Sequence, residues 1–293
     1  MSLPNLTLIG ERINPGFASS RVLLEAEDLS ALQALAVSQM EKGAHYLTIN
    51  VGDKATDRPE FLVKLIEAVQ DAVDVPLAFD YPNHSVQELC LRTYQPAKAR
   101  GRKPIVNSVS ELRLDMLDLI KIQPFRLVLM ASERIENGQE LPNITAEEVA
   151  QTALRLVRHI VGKGSGLTLD DLIIDVSLAP IATDSEGQTR RAIEAIKLIG
   201  RDSELKGVHL IVGLSNLGIM LPKFALDGSR LSTKLESAFL TLTLPHGLDT
   251  ILGTPGRDYQ MLPPDDFVLQ GFQEAIALDG FETLLRIQQL YKQ

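Results

Sequence analysis

Pro76-Leu-Ala-Phe-Asp80 is an unbroken apolar run that stops on a carboxylate. Three more runs end on a carboxylate or an amide: Pro104-Ile-Val-Asn107, Leu172-Ile-Ile-Asp175 and Leu210-Ile-Val-Gly-Leu-Ser-Asn216. A short apolar run without alternation reads as a strand covered on both faces, as in a parallel sheet wrapped by helices. In such sheets the polar groups at the carboxyl ends of strands face the ligand crevice. Two Asp and two Asn at four strand ends therefore predict one polar pocket for a small molecule.

Working outward, strand and helix alternate along the whole chain. Strands are expected at Leu6–Gly10, Tyr46–Val51, Pro76–Asp80, Ile105–Ser108, Arg126–Ala131, Leu172–Val176, His209–Leu214 and Asp249–Leu252. Helices are expected at about Ala26–Lys42, Pro59–Val73, Ser85–Thr93, Glu111–Ile120, Glu186–Ile199 and Leu231–Leu244, with a last helical region from Asp266 to Tyr291 broken near Asp279-Gly280. Thr145-Ala-Glu-Glu148 matches a capping box that opens a helix through Val161. Ser132–Asn143 reads as a long polar loop. Eight strand-helix units in 293 residues, with no Pro/Ser-rich linker, predict a single α/β domain spanning 1–293, a closed (β/α)8 TIM barrel. Gly162-Lys-Gly-Ser-Gly166 follows a helix and precedes a strand, so it reads as a helix end and not as a phosphate loop.

Composition narrows the function classes. The chain is 45% hydrophobic with a mean hydropathy of +0.05, which suits an ordinary globular protein with a large core. Its 29 basic and 38 acidic residues give a net charge of −9, so nucleic acid is not an expected partner. The short basic stretch Lys98–Lys103 reads as a solvated connection. A single cysteine, Cys90, excludes an internal disulfide, and the N-terminus lacks a basic-plus-apolar signal region, so a reducing cytoplasm is expected. No apolar stretch approaches the ~20 residues of a membrane span.

The expected rim also receives Glu11, Arg12 and Asn14 after the first strand, Asn50 and Asp53 after the second, and Glu133 after the fifth. It is rich in amides and carboxylates and poor in histidine. His45 and His209 precede strands and His159 lies in a helix, so each reads as a surface or locally satisfied residue and not as a catalyst. His84 follows Asp80 by four residues and reads equally as a rim group or a helix-start residue. Cys90 lacks a His/Asp partner pattern and reads as a small buried apolar group. Asp80, Asp175 and Glu133 are candidate Mg²⁺ ligands, but no second acid lies close in sequence to any of them at a strand end, two of the four strand-end groups are the weaker ligand Asn, and a metal is not expected. The better fit is a heterocycle with a guanidine-like edge. A carboxylate accepts two parallel hydrogen bonds from adjacent N–H groups, and an amide offers donor and acceptor side by side. A pterin has such edges.

Taken in order, Ile9-Gly-Glu-Arg-Ile-Asn14, Ile49-Asn-Val-Gly52, the strand-end Asp80, Val106-Asn-Ser108, Ile174-Asp175 and Gly213-Leu-Ser-Asn216 resemble the pterin-binding methyltransferases that use methyltetrahydrofolate and a corrinoid protein. That family includes the methyltetrahydrofolate:corrinoid/iron-sulfur protein methyltransferase and the folate domain of cobalamin-dependent methionine synthase, with dihydropteroate synthase as a more distant cousin. The resemblance runs from residue 6 to about residue 253.

The resemblance implies that Asp80, Asn107 and Asp175 hold the pterin ring, with Asp175 at the 2-amino and N3 edge. Glu11 and Asn50 join the substrate-binding set. Asn216 would lie near N5 as the catalytic group, with no metal among the protein's ligands. Methyltetrahydrofolate or a related tetrahydropterin would be the substrate, and a corrinoid would arrive on a partner protein. Dimers are common in the family, so a homodimer is implied. A pterin-binding module without transfer activity and a dihydropteroate synthase-like enzyme are the alternatives. Dihydropteroate synthases typically carry Ser-Arg-Lys near the end of the seventh strand, where this chain has Gly213-Leu-Ser-Asn216; the difference favours methyl transfer. The family often has Ser after the strand-three Asp, whereas this chain has Asp80-Tyr-Pro-Asn83, and Tyr81 reads either as a stacking platform or as a rim packing group.

Overall fold

A computed structural model describes residues 3, 5–162 and 164–292. The strands are β1 (Thr7–Gly10), β2 (Tyr46–Ile49), β3 (Leu77–Asp80), β4 (Ile105–Val109), β5 (Arg126–Met130), β6 (Glu133–Glu136), β7 (Gln139–Pro142), β8 (Leu172–Asp175), β9 (His209–Gly213) and β10 (Thr250–Gly253). All but β6 and β7 are parallel and close into a barrel in the order β1-β10-β9-β8-β5-β4-β3-β2. The closing seam pairs Thr7 with Thr250 through Gly10 with Gly253. The chain therefore folds as the expected (β/α)8 barrel, and each of the eight barrel strands lies within two residues of its sequence-predicted span.

The helices are α1 (Ala18–Glu25), α2 (Leu29–Glu41), α3 (Lys54–Asp57), α4 (Pro59–Ala72), α5 (His84–Thr93), α6 (Ala146–Gly162), α7 (Gln188–Arg201), α8 (Leu231–Thr243), α9 (Phe267–Ile276) and α10 (Phe281–Gln288). Each long helix turns one apolar stripe to the barrel. On α6 that stripe is Val149, Ala153, Leu156, Val157 and Ile160, all buried at helical spacing. The predicted capping box at its start is present: the Glu148 N–H donates to Thr145 Oγ1 at 3.2 Å, and Glu148 Oε2 accepts from the Thr145 N–H at 3.0 Å. Gly164 follows with its N–H donating to the Val161 carbonyl, which makes Gly162–Gly166 a helix end, although Lys163 lies outside the described residues.

Three sequence expectations are corrected. The helix read over Ala26–Lys42 starts only at Leu29, because Glu27 sits at φ 52° and Asp28 caps the helix by accepting from the Ala31 N–H; a separate helix, Ala18–Glu25, ends just before the expected start. The stretch read as the helix Glu111–Ile120 is a 3-10 segment at Leu114–Lys121. The polar loop Ser132–Asn143 contains the antiparallel hairpin of β6 and β7, turned at Asn137 (φ 52°) and Gly138 (φ 76°). The basic stretch at 98–103 lies between helix and strand as read, yet it is pinned to the body of the protein: Lys98 pairs with Asp71, Arg100 with Asp74 and Lys103 with Asp171.

Two apolar layers hold the barrel. The larger lies between the strands and the surrounding helices. The smaller fills the barrel interior with one side chain from every strand: Ile9, Tyr46, Ala78, Ile105, Val128, Ile173, Ile211 and Leu252. Side chains along a strand alternate faces, so the residues two positions further on point inward one level higher. Those residues are Glu11, Thr48, Asp80, Asn107, Met130, Asp175, Gly213 and Thr254. The alternation thus turns the four strand-end motifs into one ring above an apolar floor.

Candidate active site

A cavity of about 260 Å³ opens above that floor. Its base is Ile9, Ala78, Ile105, Val128, Ile211 and Leu252, and its walls carry Thr48, Asp80, Asn107, Ser108, Met130, Asp175, Ser177, Leu178, Gly213 and Asn216. Asp80, Asn107, Asp175 and Asn216, singled out from sequence, therefore meet in one pocket.

Asp80 is held on both carboxylate oxygens. Asn50 Nδ2 donates to Oδ2 at 3.0 Å, and Asn107 Nδ2 donates to Oδ1 at 3.1 Å. Since a carboxylate only accepts, these contacts fix both amides with their NH₂ groups toward Asp80. Asn107 then offers its carbonyl oxygen elsewhere, while Asn50 spends its own on the Gly52 N–H at 2.8 Å. Each Asp80 oxygen keeps a lone pair for a ligand. Burial pushes the Asp80 carboxyl above its usual pKa, and the Asn50 hydrogen bond opposes that shift.

The carbonyls around this corner share one donor. Gln87, fully buried on α5, aims Nε2 at the backbone carbonyls of Phe79, Tyr81 and Asn107 at 2.9, 2.9 and 3.1 Å. It ties the ends of β3 and β4 together beneath Asp80 and Asn107. The Asn107–Ser108 peptide at this corner is cis.

Asp175 faces Asp80 across the pocket. Burial drives its carboxyl up to about 6, the negative charge of Asp80 adds to the rise, and the Ser177 N–H, donating to Oδ1 at 2.8 Å, pulls the other way. Ser177 makes that bond from a left-handed conformation, φ 58°. Asn216 sits in the 3-10 turn Leu214–Gly218 after β9, and its Nδ2 donates to the Leu178 carbonyl at 3.3 Å. It folds back over Gly213, where an added Cβ would stand 2.9 Å from Asn216 Nδ2. Only glycine leaves the amide room there.

The remaining candidates lie outside the cavity wall. Glu11 is 3% exposed, with its carboxylate accepting from the hydroxyls of Ser215 and Thr254, each at 2.6 Å. Asn50 reaches the pocket only through Asp80. Asn14 accepts from the Gly16 N–H, and Glu133 starts the hairpin beside Arg113. His84 begins α5, whose cap is Asn83. His45 Nδ1 accepts from the Leu8 N–H and His209 Nδ1 lies 2.7 Å from Asp249, local roles of the kind expected. Cys90 is buried, and burial pushes its thiol pKa up. Tyr81 is 4% exposed, with its hydroxyl accepting from the Val51 N–H at 3.0 Å, so the packing alternative describes it and the stacking one does not. Among the described residues, no group of three or more His, Cys, Asp or Glu side chains is placed to hold a metal ion.

Sequence reading missed Thr48, Met130, Ser177 and Leu178. The first two follow from inward alternation at β2 and β5. Ser177 and Leu178 sit in irregular backbone after β8 and carry no local signal.

The sequence pattern of the pterin binding enzymes matches residues 13–252, most of the chain and all of the strands that build the cavity except β1 and the last residue of β10. The chain belongs to the pterin-binding enzyme family. Among relatives of this family, a methylcorrinoid:tetrahydrofolate methyltransferase of Eubacterium limosum is 25% identical over 257 residues, covering 85% of each protein. Solved structures with the same fold include a dihydropteroate synthase of Coxiella burnetii in complex with pteroic acid, at 16% identity and a TM-score of 0.58 over 98% of this chain and 95% of that one. A dihydropteroate synthase of Xanthomonas albilineans with 4-aminobenzoic acid is 18% identical, with a TM-score of 0.56 over 86% of this chain and 88% of that one. At these identities the two synthases show the barrel that they share with this pterin-binding enzyme. No helix among the described residues is long and apolar enough to cross a membrane.

Proposed function

We propose that this enzyme moves the N5 methyl group between methyltetrahydrofolate, or a related tetrahydropterin, and the cobalt of a corrinoid carried by a partner protein. The observation that carries the reading is the convergence of Asp80, Asn107 and Asp175 on one cavity with the Asn216 amide turned over it. The methyltransferase relative and the absence of Ser-Arg-Lys after β9 support it. The cavity is just below the ~300 Å³ lower bound of ordinary small-molecule sites. It suits a fused ring, with the rest of a folate left outside the mouth.

In this reading Asp175 accepts from the 2-amino and N3 edge, and Asn107 and Asp80 hold the opposite side of the ring. A buried carboxylate left unpaired by an analogue lacking those N–H groups costs about 1–3 kcal/mol, which makes the site selective. Breaking the N5–methyl bond leaves its electron pair on N5. N5 must gain a proton or a strong hydrogen bond as that happens. An Asn amide has no proton to give away, but it can hydrogen-bond the developing centre more strongly in the transition state than in the ground state. Asn216 is suited to that task because its bond to Leu178 is long and exchangeable.

Calorimetry with methyltetrahydrofolate and a spectroscopic assay with free Co(I) cobalamin test the reading together. Asp175→Ala should abolish pterin binding. Asn216→Ala should lower methyl transfer far more than affinity, of order 100-fold, as for other single donors to a developing charge. A protein that binds the pterin yet leaves the cobalt spectrum unchanged is a binding module. One that forms dihydropteroate with 4-aminobenzoic acid is a synthase. No pterin binding at all defeats the proposal.

A further inference from the structure

We infer that Glu11 is a positioning residue for Asn216, acting through Ser215, and that it does not touch the pterin; what Asn216 does chemically rests on the methyl-transfer reading. Glu11 stands at the inward level of the ring that elsewhere forms the pocket wall, yet it does not line the cavity. Each of its oxygens accepts from a hydroxyl: Ser215 Oγ donates to one and Thr254 Oγ1 to the other, at 2.6 Å each. Ser215 immediately precedes Asn216 in the 3-10 turn, and Thr254 immediately follows β10. One buried carboxylate thus links the ends of β1, β9 and β10.

The turn has apolar anchors as well. Leu214 and Leu217 are fully buried and fix its depth. Apolar packing of this kind is non-directional, whereas the Ser215 hydroxyl ties the turn to Glu11 through a directional hydrogen bond. Direction matters because the Asn216 amide has little slack: it lies over Gly213 on one side and bonds the Leu178 carbonyl on the other. A displacement near 1 Å of a catalytic group costs of order 100-fold in rate.

The chemistry of the clamp selects its own control. Glu11→Gln keeps the shape and still meets two hydroxyls, since an amide offers an acceptor oxygen and an NH₂ donor and each hydroxyl can play either part. Glu11→Ala removes both partners. Ser215→Ala cuts only the arm that leads to Asn216.

The test combines kinetics with a spectroscopic readout. In the methyl-transfer assay, Glu11→Ala and Ser215→Ala are expected to lower kcat by about 10- to 100-fold with KM for the pterin changed less than about threefold. Glu11→Gln should restore most of the rate. In an Asn216→Ala background, Glu11→Ala should cost no further rate, because its effect passes through the missing amide. Equal losses in both backgrounds, or a rise in KM that dominates, overturn the inference. Should the wild-type enzyme transfer no methyl group, the function proposal fails and the inference is still decided. The side-chain NH₂ pair of Asn216 in a ¹⁵N–¹H spectrum, assigned by its loss in Asn216→Ala, should shift or broaden in Glu11→Ala and Ser215→Ala and stay in place in Glu11→Gln. An NH₂ pair unmoved in Glu11→Ala, whatever happens to thermal stability, shows that Glu11 only supports the fold.

Discussion

Asp175 shows how one side chain trades stability for recognition. Its folded pKa is raised to about 6 from an ordinary carboxyl value of 3.8. The unfolded chain therefore holds its proton less tightly than the native one. The sign follows from linkage: the native state is relatively favoured below the unfolded pKa, and that advantage is lost as pH rises through 6. Asp175→Asn is accordingly expected to raise stability by about 2 kcal/mol at pH 8, with the gain shrinking through pH 6 and vanishing near pH 4, as read by urea midpoints across that range. The same variant should bind methyltetrahydrofolate at least tenfold more weakly, since an amide cannot accept two hydrogen bonds from an N–H edge on both atoms. For the wild type, affinity should fall as pH drops below about 6 in isothermal titrations. Affinity flat from pH 5 to 8 contradicts the role given to this carboxylate. Asp80, Asn107 and Asp175 were legible in the sequence because each stands two residues beyond an inward apolar residue, at the point where the run stops. Glu11 stands at the same level of the ring, but its two bonds join residues 11, 215 and 254, and no local pattern discloses that meeting.

At the scale of elements, α5 is the part that shapes the pocket without entering it. Replacing Gln87 by Leu keeps the volume and removes the donor shared by three buried carbonyls, so unfolding free energy should drop by about 2–3 kcal/mol. Because two of those carbonyls flank Asp80 and the third belongs to Asn107, pterin affinity should fall as well, a coupling that a purely apolar core change elsewhere on α5 would lack. Thermal melts and calorimetry on Gln87→Leu beside Cys90→Ala check this. The barrel strands were legible because buried parallel strands are apolar on both faces and end abruptly. The β6–β7 hairpin was not, since Glu-Arg-Ile-Glu has no apolar face to announce a strand. Its one signal was Asn137-Gly138, the dipeptide that tolerates left-handed backbone at both central positions of a tight turn. The 3-10 stretch at Leu114–Lys121 has helical spacing of its apolar residues, and spacing alone does not separate the two helix types.

For the whole molecule, closure is the decisive property. β10 pairs with β9 on one side and β1 on the other, so a chain ending at Asp249 leaves two strand edges unpaired and the interior layer open. Such a truncation is expected to bind ANS and to aggregate on gel filtration rather than to run as a folded species; a soluble truncated chain with a cooperative melt argues against this view of the seam. The closed interior layer has a second consequence. With Ile9, Tyr46, Ala78, Ile105, Val128, Ile173, Ile211 and Leu252 packed in the barrel interior beneath the cavity, a ligand's way in is from the carboxyl-end rim of the barrel. Two reactants that share one doorway there queue. Under the proposed reaction the small ring enters first and departs last, while the macromolecular partner arrives and leaves above it. Steady-state kinetics should then show a compulsory order with the pterin as leading substrate, and a random order would mean that the partner leaves the doorway open.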